Sequence, residues 1–502
     1  MLKFPRSQGG KLIKYTATLI ALILLSNSAL ASLEEGVDAL KIQDYASAIK
    51  YLKPESENGS IAATRYMAIL YESGKGIPQN LTEAIKLYEI AANKGDAVSQ
   101  TSLAALYQHG KGVNKNYKKA FDLYQKAADQ GFTDAMVALA DLYSDGLGTE
   151  KHPERAASLL QTASQNGSPA AQNNLAAMYM NGVGVEKNLP KAFELFQSAA
   201  KQGYVVAQRN LGTVYDRGLG VTKNSVEALK WYRASSAQGD AIAQFALAQM
   251  YQYGSGTDVD YSSALKFYKL AADQGVGAAE YQIGYIYWKG VGVSKNPSEA
   301  VKWFQQAAAR NFPQAQTNLG EMYESGRGVT KNEAKAVQLY MQAAKSNYPQ
   351  AEYKLAKMLK DGRGLPKNYS TAFMYFNKLA EKGMSEAQSE LGVMYENGLG
   401  VDKNYEKSAT LFRQASTDKS ASGLKNLGRS YAKGHGVPKN LVISYALINC
   451  AHNIEVNDID IHNELDSTQK AINEHELQKA LTLSLAIDRE GLTAIESFLA
   501  TQ

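Results

Sequence analysis

The sequence predicts an all-α protein, an α/α superhelical solenoid of about eleven 36-residue helix-turn-helix repeats closed by a terminal capping helix. Three observations carry that prediction. A glycine loop G-x-G returns with its first member at Gly74, Gly110, Gly146, Gly182, Gly218, Gly254, Gly290, Gly326, Gly362, Gly398 and Gly434, without one insertion; a fixed period of about 20–50 residues marks a stacked repeat array. After each loop, apolar residues recur at i, i+3, i+4, i+7 and i+8, which is one face of a helix. A second segment with the same kind of period precedes each loop, so the unit is two helices and a turn.

The helix after the loop, helix B, is typified by Asn116 to Gly131. An Asn opens it, able to cap exposed backbone N–H groups. Glu83, Glu227 and Glu299 follow three residues after Asn80, Asn224 and Asn296, the pattern of a reciprocal capping box. Pro153 and Pro297 stand at the first helical position, where a missing N–H costs nothing. Gly95, Gly131, Gly167, Gly203, Gly239, Gly275 and Gly383 close helix B, with Asn311 and Asn347 as substitutes that accept the left-handed cap conformation. The helix before the loop, helix A, carries an alanine column (Ala135, Ala171, Ala207 and onward) and a leucine column (Leu103, Leu139, Leu175, Leu211 and onward). Ala or Gly follows each leucine, as at Gly212, Gly284, Gly320, Gly392 and Gly428. A mid-helix Gly costs about 1 kcal/mol against Ala, so its recurrence predicts that another helix backbone passes close by.

At the N-terminus, Lys3, Arg6, Lys11 and Lys14 precede the apolar run 16–25 and an A-x-A ending at Ala31. That order reads as a signal peptide over 1–31, cut after Ala31, with an apolar core shorter than the roughly 20 residues of a membrane span. Residues 32–59 read as a worn capping repeat, 60–455 as the array, with Lys419 and Glu455 in place of closing glycines, and 456–502 as capping helices. Within the last stretch a polar connection Asn453–His462 is expected, then one amphipathic helix from Glu464 to about Ile487 and a short helix Leu492–Leu499.

Removing residues 1–31 takes four positive and no negative charges from the formal +5, leaving about +1. A nearly neutral chain has no bulk attraction for nucleic acid or anionic lipid, so no nucleic-acid partner is expected. The lysines of the recurrent Lys-Asn pairs, Lys115-Asn116 to Lys439-Asn440, read as a solvated loop edge. With Cys450 the single cysteine, no internal disulfide is available. The six histidines are scattered without the i, i+4 spacing of metal ligands on one helix face, and no metal or cofactor is expected. The G-x-G loops lie between helices and lack a third glycine, so they are not phosphate cradles. Ser47-Ala-Ile-Lys50 and Ser263-Ala-Leu-Lys266 match S-x-x-K, yet both fall at one offset of helix B without K-T-G or S-D-N, so no catalytic residue is assigned.

The pattern A-x-x-x-L-G-x-x-Y-x-x-G-x-G-V-x-x-N-x-x-x-A-x-x-x-Y-x-x-A-A-x-x-G over residues 60–450 resembles the Sel-1-like repeat, a relative of the tetratricopeptide repeat. The resemblance implies a stack whose helix A row lines the concave side, and an interaction scaffold such as a periplasmic assembly protein, a regulator of sensor kinases or a secreted host-interaction protein. Some cysteine-rich relatives are linked to β-lactam binding or hydrolysis, but this chain lacks their cysteine pair in each repeat.

On that face the informative side chains are those the packing columns leave free. An amide row includes Asn174, Asn210 and Asn318, suited to an extended peptide backbone because amides both donate and accept. Arg209, Phe245, Tyr281, Tyr285 and Tyr353 stand beside it in the middle repeats. The aromatics read either as a binding hot spot or as extra core over neighbouring helices. The expected function is an exported adaptor holding a protein or extended peptide partner; the alternatives are a secreted host-interaction factor and an envelope enzyme or accessory acting on peptidoglycan or β-lactams.

Overall fold

A computed structural model describes residues 32–501; the expected signal peptide and its cut after Ala31 lie outside the described residues. Within them every regular element is an α-helix, and they fall into two compact units, one ending at Val259 and the other beginning at Asp260. That division coincides with the one repeat in which Val259-Asp260 stands where its neighbours on both sides carry Lys-Asn.

The first unit begins with a helix over residues 32–41 and the helix Tyr45–Glu57. Helix A and helix B pairs follow: Ile61–Ser73 with Leu81–Asn93, Ala97–His109 with Tyr117–Ala128, Thr133–Asp145 with Pro153–Gln165, Pro169–Asn181 with Leu189–Lys201, and Val205–Arg217 with Ser225–Ala237. The helix A Ala241–Tyr253 completes it. The second unit opens on the helix B Tyr261–Asp273 and continues with Gly277–Lys289 and Pro297–Ala309, Pro313–Ser325 and Glu333–Lys345, Pro349–Asp361 and Tyr369–Glu381, Ser385–Asn397 and Tyr405–Thr417, and Ala421–Lys433 and Leu441–Ile454. In each unit a helix packs on its neighbours in sequence, the arrangement of an all-α repeat solenoid.

The two glycines of each loop serve different contacts. The first ends helix A: Gly182 has φ 71° and its N–H donates to the Met178 carbonyl at 2.8 Å. The second seats the loop on the preceding repeat: at Gly328, φ 74°, a β-carbon would stand 2.5 Å from the carbonyl carbon of Pro297, the first residue of the preceding helix B. The same approach recurs at Gly148 on Tyr117, Gly184 on Pro153 and Gly364 on Glu333. At the other end of helix B, Asn311 (φ 60°), Asn347 (φ 54°) and Lys419 (φ 54°) take the left-handed position, as expected. Glu455 does not; its φ is −122° and helix B simply runs on to Ile454.

The Asn caps form, but only half of each expected box. The Asn80 side chain accepts from the Glu83 N–H at 3.1 Å, and Asn296 accepts likewise from Glu299 at 3.0 Å. The N–H of each cap residue is already given to a helix A tyrosine, Asn80 to the Tyr71 carbonyl at 2.9 Å and Asn296 to Tyr287 at 2.8 Å. Nothing is left for the glutamates to accept, and they pair with Lys86 and Lys302 instead. The box with both bonds forms at Asn473 and Glu476.

The mid-helix glycines correct a second expectation. What approaches them is a side chain 20 residues on, from the partner helix B, rather than a backbone: a β-carbon on Gly212 would lie 2.8 Å from Tyr232, on Gly320 2.6 Å from Tyr340, and on Gly392 2.5 Å from Phe412. At Gly428, where Ile448 replaces the ring, the Ser444 carbonyl oxygen comes within 3.1 Å. Tyr88, Phe196, Phe304, Tyr340, Phe376 and Phe412 in this column are buried almost completely, each supplying about 1.5–3 kcal/mol of burial.

A polar column threads the same stack. Gln208 donates to the Ala200 carbonyl and accepts from Gln238 at 2.8 Å, and Gln100 does the same with Ala92 and Gln130. Where the column turns to glutamate a base answers it: Arg310, at the position of Gln238 in its repeat, donates to Glu280 at 2.9 Å, and Lys378, four residues before that position, donates to Glu352 at 2.5 Å. Those carboxylates are buried, and the pairing avoids the several kcal/mol that an unpaired buried ion costs.

The C-terminal cap departs from expectation in one respect. The single helix expected over Glu464–Ile487 is two, Ile459–Lys470 and Glu474–Glu490, because the Asn473 box starts a new helix there; the connection before them shrinks to 455–458. The short helix is present at Thr493–Ala500. Cys450 lies beneath this cap, 1% exposed, its Sγ 3.3 Å from the Ser484 hydroxyl. No described helix is long and apolar enough to cross a membrane.

Gly320→Leu is expected to lower the urea midpoint by the equivalent of about 1–3 kcal/mol through overpacking against Tyr340. Gly320→Ala should cost much less, because Ala356 and Phe376 already occupy the same two columns one repeat on. Burial pushes the Cys450 thiol up to about 12, so at pH 8 its reaction with a disulfide reagent should be on the order of 10³-fold slower than in urea, where an exposed thiol titrates near 8.5.

Candidate functional site

Helices A crowd one another along one side of each unit. Thr133–Asp145 touches Pro169–Asn181, which touches Val205–Arg217; in the second unit Pro313–Ser325 touches Pro349–Asp361, and Ser385–Asn397 touches Ala421–Lys433. This is the inner side of each stack. All eight candidates (Asn174, Arg209, Asn210, Phe245, Tyr281, Tyr285, Asn318 and Tyr353) stand on helices A and are half-buried, neither sealed nor fully open.

In the first unit the polar candidates tie helix to helix. Asn210 donates to the Asn173 carbonyl oxygen at 2.9 Å, and Asn173 donates to Asn174 at 3.0 Å, so the amides bridge adjacent helices A. The Arg209 guanidinium meets Asp240 at 2.7 Å, while the second oxygen of Asp240 caps its own helix by accepting from the Ala243 N–H at 2.7 Å. Arg65 and Asp96 repeat the bridge at 2.8 Å. Beside Arg209 lies a cleft of about 380 Å³ lined also by Thr213, Asp216, Arg217, Ile242, Phe245, Gln249 and Tyr253. Ile242 and Tyr253, 57% and 63% exposed, stand together at its rim. On its floor the Tyr232 phenol, bonded to Thr213 at 3.0 Å, is held above its ordinary pKa by burial.

Sequence reasoning missed Ile242, Thr213, Asp216, Gln249 and Tyr253. Thr213, Asp216, Gln249 and Tyr253 stand two, five or six residues after a core leucine and Ile242 four before Ala246, so all share the inner face by the 3.6-residue period.

In the second unit Tyr281 packs its ring 5.4 Å from Phe312 and 5.7 Å from Phe304, and its hydroxyl accepts from Asn318 at 3.5 Å. Burial raises its phenol pKa. Tyr285 lies 6.4 Å from Tyr281 and 6.1 Å from Trp288. Tyr353 meets Phe376 edge-on at 5.8 Å, and burial, then Glu390, raise its phenol. These rings thus lean on the core and keep an edge open.

Further along this unit the inner face is self-neutralised. Lys354 pairs with Glu321 at 2.8 Å, Lys360 with Glu390 at 2.6 Å and Arg363 with Glu324 at 2.7 Å, each bond joining neighbouring repeats. Burial pushes the Glu324 carboxyl up, but hydrogen bonds from Tyr340 and Arg363 outweigh it and hold the group below its usual range.

The groups that could suggest chemistry are placed structurally. The Ser263 hydroxyl donates to the helix-capping Asp260 at 2.6 Å, and the Ser47 N–H donates to Asp44 at 3.1 Å. His435 stacks on Tyr405 at 4.1 Å with Nδ1 3.1 Å from Glu396. His452 and His462 come within 5.5 Å, a proximity the sequence did not suggest. Among the described residues no three His, Cys, Asp or Glu side chains group so as to hold a metal ion. The loop lysines Lys115, Lys151, Lys187 and Lys223 are exposed.

The Sel1 repeat model matches the chain eleven times, at residues 61–96, 97–132, 133–168, 169–204, 205–240, 241–276, 277–312, 313–348, 349–384, 385–419 and 421–451. Among solved structures, the chain is similar to c5321, a protective antigen present in uropathogenic Escherichia coli strains and displaying an SLR fold: 29% identity, TM-score 0.70, covering 90% of this chain and 97% of that one. It is also similar to a Sel1 repeat protein from Oxalobacter formigenes, with 27% identity, TM-score 0.47 and coverage of 62% and 90%. No curated protein matches the chain. With the repeat model matching most of residues 61–451, this chain belongs to the Sel1 repeat family.

Proposed function

We propose that the chain is an exported, non-catalytic adaptor that captures a polypeptide partner on its helix A face. The observation that carries this reading is the cleft beside Arg209, where Ile242 and Tyr253 stay open to water beside Phe245 and the polar groups of Thr213, Asp216, Arg217 and Gln249. Large apolar anchors framed by hydrogen-bonding groups are the anatomy of a protein-recognition patch. Repeat solenoids offer such faces because their cores use fixed columns and leave others free. Export rests on the basic, apolar and A-x-A order of residues 1–31.

The likeness to a protective antigen favours a second reading, in which the same face binds a host protein. The two differ in where the chain acts. The adaptor is retained in the envelope and the host-interaction factor is found in the medium.

A photo-crosslinking residue at Thr213 or Gln249 is expected to give discrete polypeptide adducts in living cells that excess unlabelled protein competes away, while the same residue at Lys230 on helix B gives none. Adducts from Lys230 alone, or from no position, would contradict the reading. The exported chain should begin at Ser32 by N-terminal sequencing.

A further inference from the structure

We propose that the turn after the last helix B, together with the cavity beside it, docks a basic amphipathic polypeptide segment that seats one large apolar side chain in the cavity. The site lies in the second unit and does not depend on the cleft beside Arg209.

Ile454 ends the helix B Leu441–Ile454, and Ile459 begins the cap helix Ile459–Lys470. The turn between them is held at both ends: the Asp458 N–H donates to the Glu455 carbonyl at 3.1 Å, and the Asp458 side chain accepts from the Ile461 N–H at 3.0 Å. This ordered turn nevertheless leaves Ile454, Val456 and Ile459 47%, 62% and 74% exposed. No other six consecutive described residues expose three large apolar side chains. The cap of a stacked array keeps it soluble by presenting a polar outer face, so aliphatic side chains gathered there mark an interaction surface.

Beside Ile454 lies a cavity of about 200 Å³, lined also by Leu424, Cys450, Ile487 and Leu492. A cavity of about 150 Å³ is enough for a benzene ring, so this one has room for one large apolar side chain. Lys419 is the one cation in its lining, and its ammonium is given to the Asp488 carbonyl at 3.0 Å.

The charges identify the partner. From Asn440 to Gln469 the chain carries Glu455, Asp458, Asp460, Glu464 and Asp466 and no lysine or arginine, in a sequence whose 54 bases otherwise balance 49 acids. Arg429 holds Glu464, but Glu455, Asp460 and Asp466 make no ion pair among the described residues. Free carboxylates set among exposed aliphatics attract a segment that places lysines or arginines between apolar residues. They repel an anionic bilayer, and they repel a second copy of the same surface.

The test is fluorescence anisotropy on the whole exported chain with three labelled peptides: lysine and leucine at helical spacing, the same with glutamate for lysine, and the same with serine for leucine. The expected result is saturable binding of the lysine-leucine peptide, weakened about tenfold or more by Val456→Ser with Ile459→Ser, by Glu455→Gln with Asp460→Asn, and by Leu492→Phe, which narrows the cavity. Glu186→Gln with Glu194→Gln removes as much charge from exposed positions of the first unit and should leave binding unchanged. The Val456 and Ile459 pair lies outside the core and decides the matter should Leu492→Phe unfold the cap. No binding, binding that this pair leaves unaltered, or equal binding of the glutamate or serine peptide overturns the proposal. Capture by phosphatidylglycerol vesicles that the pair abolishes overturns it in favour of a membrane surface, and a dimer in sedimentation that the pair dissociates overturns it in favour of a second copy.

Discussion

Each repeat is held to the one before it by a glycine with no room for a β-carbon. Gly328 lies against the backbone of Pro297, Gly184 against that of Pro153 and Gly436 against that of Tyr405, all in the left-handed region where a β-carbon is unwelcome. This approach sets the register of the stack. It puts the cap residue's N–H onto a helix A tyrosine carbonyl, as with Asn80 and Tyr71, and brings each helix B ring over the small residue of its helix A, as Tyr340 over Gly320. A 36-residue period without insertions is the sequence trace of that constraint, since one added residue would rotate the following helix by about 100° and misplace every column.

Much of the fold was legible for this reason. Local signals and long-range contacts coincide in a repeat, because each caps, turns and packs in the same way as its neighbours. Asn311 and Asn347 showed their left-handed backbone in the sequence by standing where glycine otherwise stands. What was not legible depended on side chains competing for one group. Glu83 and Glu299 carry the right spacing for a reciprocal box, but the N–H they would accept is spent on Tyr71 and Tyr287. Gly212 and Gly320 announce a close approach without saying that a ring makes it. The apolar pattern from Glu464 to Ile487 runs through Asn473, and only the bonds between Asn473 and Glu476 show that one helix stops and another starts.

The candidate face was legible as a face and less so as a site. Columns left free by packing identified Asn174, Asn210, Phe245 and Tyr281 as half-open, yet spacing cannot tell a side chain that waits for a partner from one that braces its neighbour. Arg209 braces, through Asp240, and so does Asn210, through Asn173. The second unit shows how far such bracing extends, with acids and bases of neighbouring repeats paired from Glu321 to Lys433. Bracing is incomplete at the cleft with Ile242 and Tyr253 at its rim in the first unit, the place on which the proposed adaptor role rests.

The claim that loop glycines hold successive repeats together is tested most directly by residue-resolved hydrogen exchange on Gly328→Ala. The account predicts faster exchange throughout Pro297–Ala309 and Pro313–Ser325, the two helices whose seating the added β-carbon disturbs. A change confined to the loop 326–332, with both helices as protected as before, would contradict it.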